Sequence, residues 1–264
     1  MLFHEKSSSR VFMICIICFF IHLTSCSNLQ QQNEDNVSWS NWGEMITLNP
    51  KIQNCITITA PHGTNDVRTD LMVERISKKG GFPAVIATGF VEKDGLIRNR
   101  INVNRPSEKY NSGSTKMHFF SKRSELVYKE FLKRVLEIHR NRDKNLYVEI
   151  HGQSKFPQEI EIATKGITLD DARYFFRLWE KNKNITKKTK RIFNNFEVRI
   201  EPLHSIYYRA TDNKDFGVIS KMKKALHIEL PYVLRTVPEY RKLTEKLITK
   251  VLIEFKKKIC NVKR

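Results

Sequence analysis

The sequence is poor in the residues that mark fibrous, disordered or disulfide-built chains. Ten glycines and eight prolines in 264 residues exclude a collagen-like or linker-like polymer. Five cysteines are too few for a disulfide scaffold. Beyond the first 26 residues only Cys55 and Cys260 remain, so there is no C-x-x-C metal ribbon there. These two either pair in an oxidising compartment or leave Cys55 as a buried thiol at the start of a strand. Acidic residues are also scarce, 28 against 47 Lys and Arg, giving a formal charge of +19. The lysines are dispersed, with clusters at 181–191 and 256–258, and no RNA-binding or helix-turn-helix signature accompanies them. The charge therefore points to anionic lipid, cell-wall polymer or acidic substrates, and no nucleic-acid partner is expected.

What the chain does have is enough apolar residue, 40%, to bury one large core. Its N-terminus reads as a leader. Lys6 and Arg10 precede an apolar run, Val11–Leu23, which is short for a membrane span of about 20 residues. Leu23-Thr24-Ser25-Cys26 follows, in the manner of a bacterial lipobox whose cysteine is lipidated. The alternatives are a plain signal peptide or an uncleaved anchor. The expected organisation is a lipoprotein signal peptide over 1–26, a linker and entry segment over 27–45, and one domain over 46–264. This places the chain outside the cell, held to a bacterial membrane on its periplasmic or surface side.

Apolar periodicity predicts strands at 55–60, 82–91, 146–150, 159–163, 196–201 and 225–230. It predicts helices at 65–79, 121–142, 168–182 and 237–259. Residues 97–106 read as a short strand or loop, and 107–119 and 204–216 as loops. Strands alternating with helices argue for an α/β fold, a three-layer α/β/α sandwich with a mostly parallel or mixed central sheet.

Two strands run into His-Gly. Ile56-Thr57-Ile58-Thr59 leads to Ala60-Pro61-His62-Gly63-Thr64-Asn65-Asp66, and Leu146–Ile150 leads to His151-Gly152. Open α/β sheets bind ligands beyond the carboxyl ends of their strands. Two imidazoles and a carboxylate with one open position suit catalytic zinc. His62 and His151 are thus candidate metal ligands, with Asp66 as the third and Asp70 as its competitor; the bland reading is a pair of strand-end turns. Glu229 sits inside the apolar strand ALHIEL, where a carboxyl kept from water suits a general base. A salt bridge to Arg235 or a lysine is the other role open to it. Arg105 is a candidate catalytic and substrate-clamping guanidinium, with Asn104 and Arg235 as further substrate-binding candidates. Glu149 shares a strand face with His151 and either orients its imidazole or pairs with a lysine. Lys155, Thr164, Tyr208 and Arg209 are pocket candidates without a spacing argument.

The pieces PHGTND, INVNRP, YVEIHG followed by EIEIAT, and HIELPYVLR resemble the N-formylglutamate amidohydrolase family within the zinc-carboxypeptidase-like fold. They span residues 61 to 235. The resemblance implies one zinc on His62, Asp66 and His151, a guanidinium at Arg105 and a late glutamate at Glu229. It also implies hydrolysis of an amide beside a carboxylate-bearing residue, in a small N-acyl amino acid or a peptide. Zinc carboxypeptidases space His and Glu three apart, whereas this chain has Asp four away. The competing expectation is a lipoprotein that binds an acidic ligand in the same pocket without turnover.

Overall fold

The computed structural model describes residues 38–94, 97–112, 115–140 and 145–260. The leader, Cys26 and the tether to residue 37 lie outside the described residues. Two units are distinguished, Met1–Asn41 and Trp42–Arg264. In the first, the described residues hold a 3-10 turn, Trp39–Asn41.

The second unit opens with β1 (Gly43–Leu48), a strand where only an entry segment was expected. Next come β2 (Ile56–Ala60), α1 (Thr69–Gly80) and β3 (Ala84–Gly89). The expected run 82–91 is cut because Phe90 takes a left-handed φ of 56° and hands the chain to a second sheet. That sheet holds β4 (Val91–Asp94), β5 (Ile97–Asn102), β6 (Ser107–Ser112) and β7 (Thr115–Phe119), paired antiparallel in sequence order. The loop expected over 107–119 is therefore a hairpin. Its strands carry few β-branched apolar residues, so periodicity did not reveal them.

α2 (Lys122–Ile138) starts at Ser121, whose hydroxyl accepts from the Ser124 N–H. β8 (Leu146–Gln153), β9 (Glu159–Lys165) and α3 (Leu169–Lys183) follow near their expected positions. α4 (Lys187–Phe193) lies within the basic cluster. β10 (Glu197–Ile200) leads to a long connection holding α5 (Thr211–Asp215). The chain finishes with β11 (Lys224–Pro231), α6 (Tyr232–Thr236) and α7 (Pro238–Ile259). Among the described residues no helix is long and apolar enough to cross a membrane.

The large sheet has the order β1-β3-β2-β8-β11-β9-β10. β3, β2, β8 and β11 run parallel; β1 and β9 enter antiparallel to β3 and β11. The α/β expectation with a mixed central sheet holds. The strands alternate by face. Ile58, Val148, Ile150, Ile162 and Ile228 join Met72, Phe175 and Leu252 from α1, α3 and α7 in one core. Burying each such side chain contributes about 1.5–3 kcal/mol. α2 packs on the other side of the sheet, through Val127, Phe131 and Val135. Cys55 and Cys260 form a disulfide that ties the end of α7 to the start of β2.

The second sheet is fastened to α2 by Glu108, whose side chain is fully buried. Glu108 accepts from Arg123 Nε and Nη2, both at 2.6 Å, from Asn99 at 2.9 Å, and from Ser121. Burial opposes its ionisation, but these donors hold the carboxyl below its ordinary value of 4.5. The stabilisation is then fully present above pH 4.5 and is lost as pH falls through the depressed folded value. Thermal unfolding followed from pH 6 to pH 3 should show wild type losing its advantage over Glu108→Gln in that acid range. A constant difference across it would contradict the assignment.

Candidate metal centre

β2, β8 and β11 are parallel neighbours, so their carboxyl ends share one edge. The crevice lies between β2 and β8, because the chain leaves β2 outward to β3 and resumes at β8 towards β11. After β2 the chain makes a compact turn. Asp66 N–H donates to the His62 carbonyl at 2.7 Å, Gly63 N–H to Ala87 at 2.9 Å, and Arg68 adopts a φ of 72°. This turn delays α1 from the expected residue 65 to Thr69. Gly63 permits it, since a Cβ there would stand 2.7 Å from that of Asp70. Asp70 thus packs behind the turn, and Asp66 is the carboxylate brought to His151.

The polar groups of the site come from one face of the sheet. Tyr147, Glu149 and His151 alternate with Val148 and Ile150, and His227 and Glu229 with Leu226, Ile228 and Leu230. The register sets His227 opposite Glu149 and Glu229 opposite His151. Glu149 is fully buried below the cavity floor. Its Oε2 accepts from His227 Nδ1 (2.9 Å), His151 Nε2 (3.0 Å), Asn213 (2.8 Å) and Asn104 (3.1 Å). Its Oε1 accepts from the Tyr147 hydroxyl at 2.9 Å. Burial disfavours the charge, yet the two histidine bonds hold this carboxyl far below the usual range. Glu149 therefore orients imidazoles and does not pair with a lysine.

His151 turns its other nitrogen, Nδ1, to Asp66 Oδ2 at 3.1 Å. Its ring stacks on His227 with centroids 4.0 Å apart, and His62 stands edge-on to it at 5.2 Å. Burial would lower the His151 pKa, but the bonds to Asp66 and Glu149 raise it to about 10. Burial first, then the charge of Arg100, pushes His62 well below 6.5. Both effects favour the neutral imidazole, the form in which a histidine can ligate a metal. Burial opposes the ionisation of Asp66, but the His151 bond and the charges of His151 and Arg100 hold its carboxyl well below the usual range.

Among the described residues one set brings three ligand atoms close enough to hold a cation, and it shares His151 with the set expected from the sequence. Glu149, His151 and His227 offer ligand atoms all within 4.8 Å of one another. In that set Glu149 is already the acceptor for five donors, and both nitrogens of His227, like those of His151, face carboxylates. The other set, His62, Asp66 and His151, lines a cavity of about 490 Å³. Asn104, Arg105 and Glu229 line it too, as do Tyr208 and Arg209. Arg105 holds one arm to Asp212 at 2.7 Å. Glu229 accepts from His227 Nε2 at 3.1 Å through Oε1, while its buried Oε2 has no hydrogen-bond partner.

No family model and no curated protein matches this chain. Solved structures do. A gene product from Agrobacterium tumefaciens is 12% identical, over 82% of this chain and 96% of that one, with a TM-score of 0.50. N-formylglutamate amidohydrolase from Ralstonia eutropha is 11% identical over 81% and 97%, at 0.49. A bacteriophage poly-gamma-glutamate hydrolase is 10% identical over 81% and 88%, at 0.47. At such identities the likeness of the first shows the fold alone, and the other two, below 0.5, add no argument to it.

Other candidates lie away from the cavity. Arg235 donates to the backbone carbonyls of Leu230 (3.1 Å) and Val67 (2.7 Å), so it braces β11 against the turn before α1. The salt bridge weighed for Glu229 is not what Arg235 makes. Gly152 lies against it: a Cβ there would stand 2.2 Å from the guanidinium carbon and would displace this arginine from its two carbonyls. Lys155 lies over the Tyr207 ring, and Thr164 donates its N–H to Glu201. Sequence reasoning missed His227, Arg100, Asn213 and Tyr147. The alternation in ALHIEL carried the signal for His227, because it shares a face with Glu229. Arg100 and Asn213 sit in a hairpin and a short helix that periodicity does not reveal.

Proposed function

We propose that this chain is a zinc-dependent hydrolase that cleaves an amide next to a carboxylate-bearing group. The observation that carries the reading is the unpartnered, buried Oε2 of Glu229, in a cavity that also holds His62, Asp66 and His151. A buried carboxylate oxygen without a donor is costly unless the site uses it. The donor set suits zinc in kind: two imidazoles and a carboxylate, with His151 Nδ1 3.1 Å from Asp66 Oδ2 and its far nitrogen oriented by Glu149, so that zinc would take the place of the proton between His151 and Asp66. When bound, zinc supplies a Lewis acid for the amide carbonyl and a lowered pKa for water.

The chain's own groups would do the rest. Glu229 Oε2 takes a proton as water adds to the carbonyl carbon, and returns it to the amine as the C–N bond breaks. His227 fixes the other oxygen, which leaves Oε2 the one without a donor. Arg105, its fork steadied by Asp212, with Arg100 beside it, holds the substrate carboxylate. Asn104 acts through Glu149 on the pose of His151.

The substrate class is a small acidic N-acyl amino acid or a peptide. The proposed setting is extracytoplasmic, with the leader cut before Cys26, Cys26 lipidated as the new N-terminus, residues 27–45 as tether, and 46–264 as the working domain. The Cys55–Cys260 bridge supports an oxidising compartment. Chelator-treated protein should lose turnover of N-acylated glutamate and regain it when zinc is restored. Turnover that survives chelation would sink the reading. Retention of N-acylglutamate binding without turnover by the zinc-loaded chain would favour the binding-protein alternative.

A further inference from the structure

One buried carboxylate at the site's margin plays no part in the chemistry above. Glu161 is 2% exposed, lies on β9 and stands opposite Glu229 in the antiparallel register with β11. Both its oxygens are engaged by the chain's own backbone. Tyr207 N–H donates to Oε1 at 2.9 Å and Tyr208 N–H to Oε2 at 2.8 Å. A buried charge is retained at a cost unless it is fully paired. Here the pairing fixes two consecutive residues of the long connection after β10, and both line the cavity. Phe156 packs against both rings, at 5.6 and 6.3 Å, and the Lys155 ammonium lies 3.5 Å over that of Tyr207. Yet Tyr207 remains 59% exposed. Two rings that line the cavity, one of them open to solvent, offer aromatic surface to a ligand's ring.

The sheet order gives this wall a side. His62, with the charge of Arg100 acting on it, follows β2; His151 and Glu229 are on β8 and β11; Glu161 and the tyrosines it holds are on the β9 side. A scissile amide at His151 and Glu229 therefore has the rings of Tyr207 and Tyr208 on its β9 side. We propose, resting on the hydrolase reading, that Glu161 is a positioning residue and that the Tyr207–Tyr208 wall it fixes selects a ring-bearing acyl group on the substrate.

The test compares N-benzoylglutamate with N-acetylglutamate on the zinc-loaded chain. Wild type should favour the benzoyl compound in kcat/KM by about tenfold or more, the scale of a filled apolar pocket. Tyr207→Ala and Glu161→Ala should lose that preference through KM, with zinc content unchanged. Glu161→Gln, which keeps one acceptor oxygen, should fall between. Hydrogen exchange at the Tyr207 and Tyr208 amides should quicken in Glu161→Ala. No preference in wild type, or the same preference in all variants, would overturn the inference. If zinc-loaded wild type cleaves neither compound, the hydrolase reading fails on its own. The wall is then judged by exchange: stronger protection of the two amides by N-benzoylglutamate than by N-acetylglutamate upholds it, and equal protection overturns it.

Discussion

Glu229→Gln is expected to keep its zinc and its fold while losing about 10²–10⁴-fold in kcat, the usual share of a positioned acid–base group. The substitution is nearly isosteric. His227 Nε2 can still donate to the remaining carbonyl oxygen, as it does to Oε1 at 3.1 Å. What disappears is the basic oxygen that no donor reaches. An amide cannot take a proton from water at neutral pH, so the loss falls on kcat and leaves KM nearly in place. Steady-state kinetics with metal analysis on the same sample checks this. A variant with wild-type kcat would remove Glu229 from the mechanism.

Glu149→Ala is expected to destabilise the domain by about 3–5 kcal/mol, the scale of breaking a buried charge pair from one side. The reason is the number of groups it leaves behind. Two imidazoles, two carboxamides and the Tyr147 hydroxyl converge on this one side chain, and all five residues are buried. None can turn to solvent, so each loses a partner at a cost of about 1–3 kcal/mol before relaxation. Glu74→Ala breaks a solvent-exposed pair with Lys78 and should shift stability by no more than about 0.5 kcal/mol. The same change at Glu149 should also weaken zinc binding about 10–100-fold, since His151 would lose the group that orients it. Chemical denaturation of both variants is the measurement. Equal stabilities would mean the carboxylate does not organise the floor of the site.

The fold and the site were legible in the sequence to different degrees. The parallel core strands are short apolar runs, and β2, β8 and β11 stood out by alternation alone. Carboxyl ends on parallel neighbours share an edge, which is why His62, His151 and Glu229 could be placed together from the sequence. The hairpin of β6 and β7 was not legible, because strands such as SEKYNS owe their pairing to Glu108, Arg123 and neighbouring strands rather than to an apolar face. Arg235 looked like a pocket residue from its nearness to Glu229 in sequence. In space it is turned away by the carbonyls of Leu230 and Val67. His227 was overlooked although it sits two residues before Glu229 in a strand, where a spacing of two means one face.

The central claim is that His62 and His151, with Asp66, hold one zinc ion, and its most direct measurement is elemental analysis of four purified proteins. These are wild type, His62→Ala, His151→Ala and His227→Ala, each checked for folding by circular dichroism. The account predicts about one zinc per chain in wild type and in His227→Ala, and none in the other two. Zinc retained by His62→Ala and lost from His227→Ala would contradict it and place the ion in the deeper cluster with Glu149. Wild type that takes up no zinc when the metal is supplied would contradict the metal centre altogether.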